Sequence, residues 1–247
     1  MRLLLIIPAY NEQEALGGLL GEIRALPSLG VDVETVVVDD GSADRTAEVA
    51  QQGGARVVRL CRNLGIGGAV QSGLRLAHRE GFDFAVQIDG DGQHPPSELA
   101  RLLEPTRGAS PPDLIVGTRY RDAANFRSTP LRRLGSWWLR VILRMLARLK
   151  VSDPTSGFRL YNKRALRLFD ETYPYDFPEP ESLAIARAAG LRVSEVSVTM
   201  RERQGGTSSI IGFDSIYYMF KVTIAVVLTY VRALGRARKK GSDAATD

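Results

Sequence analysis

"VETVVVDDGSADRTAEVAQQGG" (residues 33–54) changes its periodicity once, and that change decides the fold. Val33 to Val38 is a β-branched run, the composition of a pleated, buried strand. Asp39, Asp40, Gly41 and Ser42 are turn residues, and 44–54 reads as a short helix closed by Gly53 and Gly54. A strand running directly into a helix is half of a parallel crossover unit. The same alternation recurs on both sides. "RLLLIIPAY" (2–10) is a strand, and "EQEALGGLLGEIRAL" (12–26) carries Leu16, Leu19, Leu20 and Ile23 at helical spacing. "ARVVRL" (55–60) is a strand leading into the glycine-opened helix "GIGGAVQSGLRLAHREG" (65–81). "FDFAVQIDGDG" (82–92) is a strand, and "PSELARLLEPT" (96–106) with "DLIVGTR" (113–119) adds a helix and a strand. This alternation predicts an α/β fold, a mostly parallel open sheet with helices on both faces.

In such sheets the ligand sits beyond the carboxyl ends of the strands. Four loops place polar residues there: Pro8 to Glu12, Asp39 to Ser42, Asn63 to Gly68 and Asp89 to Gln93. "QIDGDGQHPPSEL" (87–99) sets Asp89 and Asp91 one residue apart, just after an apolar run. Carboxylates this close favour a divalent cation, which removes their repulsion. Mg2+ or Mn2+ keeps coordination positions open for phosphate oxygens, so a diphosphate is the natural third party. Gln93 can add an amide oxygen, and Gly90 and Gly92 let backbone approach a ligand closely. The competing reading is a plain surface turn in which Asp and Gly serve turn geometry.

The 247 residues, 44% apolar and 25% charged, suit one large domain or a domain with an appendage. A single cysteine, Cys61, excludes an internal disulfide and a cysteine-rich zinc module, and His78 and His94 are too few for a histidine-rich metal site. The N-terminal apolar run, Leu3 to Ile7, is too short for a signal peptide, so the catalytic part is expected to face the cytoplasm. Net charge is +5, and residues 131–150 and 232–240 contain no acid at all. Such stretches suit a phosphate-rich partner, membrane or nucleic acid, or else a solvated helix face. No nucleic-acid reader motif accompanies them.

After Pro130, Leu131, Leu134, Trp138, Ile142, Met145 and Leu149 recur at helical spacing, and Arg140, Arg144 and Arg148 recur every four residues. That describes a helix lying in anionic headgroups, or a core helix with a solvated arginine face. Residues 153–166 read as loop, short strand and helix start, 178–190 as a helix and 191–203 as a half-buried strand. From Ile210 to Leu234 the chain is largely apolar but interrupted by Asp214, Lys221 and Arg232. Its clean run is about half the roughly 20 residues of a membrane crossing, so two interfacial helices are expected instead. The expected layout is a catalytic domain at 1–209, with a nucleotide-binding half (1–118) and an acceptor half (119–209). A membrane-associated segment (210–240) and a disordered tail (241–247) follow.

"PAYNE" (8–12), "VVDDGSADRT" (37–46), "NLGIGGAVQSGL" (63–74), "DGDGQHPP" (89–96) and "GTR" (117–119) occur in that order. In this combination the chain resembles the family 2 glycosyltransferases of the GT-A fold, particularly those like dolichol- or polyprenol-phosphate mannosyltransferase, over about residues 3–209. The resemblance implies that Pro8, Tyr10 and Glu12 line the nucleotide, with Val37 and Asp39 against the base. Asp89 and Gly90 would lie against ribose and diphosphate. Asp91 and Gln93 would hold the metal, Mg2+ or Mn2+, with Asp89 as an additional ligand. Arg203, with Ser208 nearby, would clamp the diphosphate. Serine stands at 209 where the resembled enzymes often carry lysine, one positive charge fewer at the leaving group. Arg119, Arg132 and Ser136 match their acceptor-phosphate site. The catalytic set is then Asp91, Arg119 and Arg132.

The implied reaction is inverting transfer of a hexose from a nucleotide diphosphate sugar, GDP-mannose or a UDP-hexose, to a polyprenyl phosphate at the cytoplasmic membrane face. A small membrane-protein partner is a further expectation. A phosphate monoester has a second pKa near 6 and is mostly dianionic at neutral pH, so it needs cationic positioning rather than a base. The alternative acceptor is a sugar hydroxyl, which needs a carboxylate base. Glu179, Glu181 and Asp153 are the candidates, although the first two also suit a helix start structurally. His94 reads as loop-shaping and Cys61 as core or edge filler. A processive synthase would need a Gln-x-x-Arg-Trp stretch, and a nucleotidyltransferase would need a glycine-rich loop where "IPAYNE" stands.

Overall fold

The computed structural model describes residues 1–119, 130–201 and 214–243, with side chains at 1–119, 135–201 and 219–236. β1 (Arg2–Ala9) is the hub of the sheet. It pairs in parallel with β2 (Asp32–Asp39) on one side and with β4 (Phe84–Gln87) on the other, and β3 (Arg56–Arg59) adds in parallel outside β2. β6 (Arg159–Asn162) lies antiparallel between β4 and β5 (Leu114–Thr118), and β7 (Val193–Ser197) runs parallel to β5. The order across the seven described strands is β3-β2-β1-β4-β6-β5-β7. Because β6 alone is reversed, the carboxyl ends of the other six and the amino end of β6 share one edge. The expected α/β open sheet is therefore present, and its single reversal brings the chain after α5 back to that edge.

Helices α1 (Gln13–Arg24), α2 (Thr46–Gln52), α3 (Gly65–Arg79) and α4 (Leu99–Leu103) follow the first four strands, α4 being flanked by 3-10 turns. α5 (Pro130–Ala147), α6 (Lys163–Glu171), α7 (Pro178–Ala188) and α8 (Asp214–Asp243) complete the described set. Strand residues alternate between two cores, as the pleat requires. Leu4, Ile6, Val36 and Val38 pack with α3 and α5 through α8, whereas Leu3, Leu5, Ile7 and Val37 pack with α1, α2 and α4.

Two expectations about the later helices are corrected. In α5 the inward face is Leu139, Ile142, Leu143 and Ala147, while Trp138 and Met145 are exposed, Met145 by 68%. α8 and α7 pack on the Leu139–Leu143 side, which rotates the seam away from the expected row; the Trp138 Nε1–H donates to Thr223 Oγ1 of α8 at 2.8 Å. Arg148 lies past the end of α5 at φ +50, so the helix itself carries Arg140 and Arg144 of the expected arginine series. In place of two C-terminal helices there is one, α8, since no glycine or proline interrupts residues 214–234. It runs to Asp243, into the stretch read as a tail; residues 244–247 lie outside the described residues. No described helix is long and apolar enough to cross a membrane.

Candidate active site

The loops after β1 and β2 are zipped together before any ligand arrives. Asn11 adopts φ +55, a left-handed conformation that asparagine tolerates. Its backbone N–H donates to Ser42 Oγ at 3.0 Å, and its Oδ1 accepts from the Ala43 N–H at 2.9 Å. The Glu12 N–H donates to Thr46 Oγ1 at 2.9 Å. Tyr10 stands exposed at this rim and Pro8 is buried at the strand end. Asp39 is fully buried: its Oδ1 accepts from the Ser42 N–H at 2.9 Å and its Oδ2 lies 3.3 Å from Arg59 Nε. Val37 is wholly inside the core and presents no surface at the edge. Asp40 accepts from the Leu64 N–H at 2.7 Å and so holds the start of α3. Burial raises its pKa, with the Leu64 and Gly65 amides opposing. Gly41 is required here, since at φ +73 a Cβ would stand 2.9 Å from the Arg62–Asn63 backbone.

The turn after β4 holds the acidic pair. Asp91 is buried, accepting from the Gln93 N–H at 3.0 Å and from Gln93 Nε2 at 2.9 Å. Gln93 thus turns its amide nitrogen toward Asp91 and orients it. The Asp89 side chain is 34% exposed, and Gln87 Nε2 donates to its Oδ1 at 3.3 Å. The Asp89 N–H donates to His94 Nδ1 at 3.2 Å, and His94 stacks on Phe158 at 5.1 Å, the loop-shaping role expected of it. The Gly90 Cα faces the Pro8 carbonyl, where a Cβ would stand 3.2 Å away. Beneath Asp89 lies Gly157, where a Cβ would stand 2.8 Å from Oδ1. The described residues contain no group of three His, Cys, Asp or Glu side chains able to hold a metal. Two hard carboxylates, one of them accessible, nevertheless fit Mg2+ or Mn2+, which take one or two protein carboxylates and draw the rest from water and phosphate.

The loop 152–157 joins this turn to the neighbouring strand end. The fully buried Arg159 pins it, Nη2 donating to the Pro154 carbonyl at 3.1 Å and Nε to the Ser156 carbonyl at 2.7 Å. At its start Asp153, fully buried, receives Arg119 in a two-point bridge, Nε to Oδ2 at 2.7 Å and Nη2 to Oδ1 at 3.0 Å. The residues after β2, β1 and β4 and Arg119, just past β5, are therefore neighbours along one edge, with a single loop touching both the Asp89 turn and Arg119. Ser136 on α5 is buried, and its Oγ has no hydrogen-bond partner among the described residues. The Arg132 side chain and residues Arg203, Ser208 and Ser209 lie outside the described residues. The chain enters that last segment beside the Asp89–Gln93 turn, because the Arg201 N–H donates to the Gln93 carbonyl at 2.9 Å.

Of the carboxyls weighed as bases, Glu181 accepts from the Phe177 N–H at 3.2 Å and from Thr229 Oγ1, tying α7 to α8. Asp153 is engaged by Arg119. Glu179 is half-buried; burial raises its pKa, Arg159 opposes and Asp89 adds to the rise. Cys61 is exposed, which excludes the core half of its core-or-edge reading.

This arrangement has counterparts. The model of Glycosyl transferase family 2 matches residues 4–169. The chain belongs to that family. Among relatives of this glycosyltransferase, undecaprenyl-phosphate mannosyltransferase of Micrococcus luteus is 35% identical over 86% of the chain and 88% of the relative. Polyprenol monophosphomannose synthase of Mycolicibacterium smegmatis is 34% identical over 90% and 85%. UDP-N-acetylglucosamine–dolichyl-phosphate N-acetylglucosaminyltransferase of Methanococcus voltae is 30% identical over 91% and 97%. In fold, glucosyl-3-phosphoglycerate synthase from Mycobacterium tuberculosis, solved with Mn2+, UDP and glucosyl-3-phosphoglycerate, superimposes with a TM-score of 0.67 at 23% identity, covering 94% of this chain and 80% of its own. The family 2 enzyme thus has the expected GT-A fold, and the polyprenol-phosphate resemblance read from its motifs holds over most of its length.

Sequence reasoning placed Asp40 in an edge loop without its tie to α3, and missed Gly157, Arg159 and Glu195. "SGFR" (156–159) carried a signal, a glycine two residues before a basic residue at a strand start, but nothing local tells that Asp89 lies above it.

Proposed function

We propose that this glycosyltransferase moves a hexose from a nucleoside diphosphate sugar to a polyprenyl phosphate with inversion, at the cytoplasmic surface of a membrane. The observation that carries the reading is the edge itself, where the Asp89–Asp91 turn and Arg119 stand on either side of the 152–157 loop. Pro8, Tyr10, Glu12 and Asp39 form the nucleotide side, Val37 only backing them from the core; Asp89 and Gly90 meet ribose and diphosphate, and Arg203 clamps the diphosphate. Asp91 and Asp89, with Gln93 orienting or completing the set, hold Mg2+ or Mn2+. That ion, when bound, supplies positive charge to the departing diphosphate. Arg119, Arg132 and Ser136 hold the acceptor phosphate. One of its oxygens attacks the anomeric carbon as the bond to the diphosphate breaks, and a single displacement of this kind inverts the centre. The dianion needs no base, which agrees with the engagement of Asp153 and Glu181 by other groups. The relatives named above differ in sugar but share a prenyl phosphate, so they support the acceptor class more strongly than any one donor.

The same reading gives the outer face of α5 and α8 a role. Val222 and Val226 face the core, yet on the opposite side of α8 Phe220, Ile224, Leu228 and Val231 are 49–68% exposed. Trp137 and Trp138 extend this row across α5, and Arg144, Arg232 and Arg236 are exposed on the same two helices. An apolar row beside arginines suits insertion at the headgroup boundary of an anionic bilayer.

The test offers GDP-mannose, UDP-glucose and UDP-N-acetylglucosamine in turn, with a short polyprenyl phosphate or the matching prenol, with Mn2+ or with EDTA. Turnover is expected with one donor, only with the phosphorylated lipid, and is lost in EDTA. Equal turnover of the prenol overturns the acceptor assignment, and full turnover in EDTA overturns the metal.

A further inference from the structure

Arg119 is one of the few cations at the edge held by a carboxylate with no exposed surface. Asp153 takes Nε and Nη2 at 2.7 and 3.0 Å, and the Thr155 hydroxyl sits 3.3 Å from Nη2 and 3.1 Å from Asp153 Oδ1. The carboxylate is itself fixed from behind. Glu195 of β7 accepts from the Ser152 N–H at 2.7 Å and the Asp153 N–H at 3.1 Å, clamping the loop start against the sheet. A two-point bridge fixes the plane of a guanidinium as well as its position, which a lone contact does not.

We propose that Asp153 is a positioning residue for the acceptor phosphate: it sets the orientation of Arg119 through the bidentate bridge, with Glu195 fixing Asp153 in turn. This deepens the acceptor reading given above and rests on it. The account also gives Asp153 a reason to be buried and charged that does not involve proton transfer. Since Gly157, at the far end of the same loop, abuts Asp89, the loop keeps the arginine at a set distance from the donor carboxylates. In-line attack requires that registration, because small misplacements of the reacting groups are costly in rate.

The test compares the full chain with Asp153→Asn, Arg119→Ala and the double variant, varying polyprenyl phosphate at saturating donor, with donor affinity measured by calorimetric titration. Asp153→Asn is expected to raise the acceptor KM roughly tenfold to a hundredfold, to leave donor affinity unchanged, and to add nothing on the Arg119→Ala background. A variant that weakens donor binding as much as acceptor binding, or whose full loss appears again on top of Arg119→Ala, overturns the proposal, since that is the pattern of general damage. An unchanged acceptor KM in Asp153→Asn overturns it too. If Arg119→Ala itself leaves the acceptor KM unchanged, it is the acceptor reading that fails. Should Asp153→Asn not fold, Glu195→Gln loosens the same loop one step back, and an acceptor KM unmoved there overturns the positioning role.

Discussion

Gly157 carries no side chain because Asp89 occupies the space one would fill. Alanine there would put Cβ within 2.8 Å of Oδ1 and 2.9 Å of Oδ2, so the carboxylate must move. Gly157→Ala is expected to raise donor KM about tenfold or more, equivalent to about 1.4 kcal/mol, while acceptor KM holds; equal donor KM in both proteins would mean that Asp89 does not meet the donor. Glu179 makes a second residue-level prediction. Its folded pKa lies above the ordinary 4.5 because of burial. The folded state therefore binds this proton more tightly than the unfolded chain, and stability is lost as pH rises from about 4.5 through the raised value. Glu179→Gln does not ionise, so its urea midpoint should match the parent near pH 4.5 and exceed it at about pH 7. A variant less stable than the parent at the higher pH would refute the assignment. Asp89 and Asp91 were legible as a pair from their spacing, but the glycine beneath Asp89 was not, since it approaches from a loop distant in sequence.

α8 is the element whose two faces conflict with a purely aqueous setting. Four large apolar side chains face outward on it, and burying each side chain of this kind is worth roughly 1.5–3 kcal/mol. Phe220→Ser with Ile224→Ser is expected to cut co-sedimentation with phosphatidylglycerol-rich vesicles by roughly a hundredfold or more and to leave the thermal midpoint unchanged, because neither side chain packs inward. Vesicle binding equal to the parent's would assign the row to some other contact. Periodicity found α5 and the C-terminal apolar stretch, and it found the basic character of both. It misplaced the inward seam of α5 because a helix with apolar residues on several sides offers more than one seam, and the partner that chooses, α8, is distant in sequence. Thr229 meeting Glu181 shows the same thing from the other side: a residue rightly read as a helix-start acid is also a tie between two helices, which the sequence did not reveal.

At the scale of the molecule, the first four strand–helix passages were legible because each is local, a change from one periodicity to another with turn residues between. The reversed β6 was not, because orientation depends on where the chain returns after α5. With β6 reversed between them, Arg119, just past β5, and Asp89, just past β4, lie on the same edge with one strand and one loop between them. The proposed donor and acceptor residues thereby share a single sheet edge, and the proposed chemistry depends on it. The most direct measurement is the phosphorus balance of one turnover: nucleotide and lipid products are separated after incubation of the full chain with its donor and a polyprenyl phosphate, and both are identified by mass spectrometry. The account predicts one nucleoside diphosphate released for each lipid glycosylated, and a lipid product that keeps a single phosphorus between prenyl chain and sugar. Release of nucleoside monophosphate with a lipid diphosphate sugar, or a glycosylated lipid whose phosphate is untouched, would contradict it.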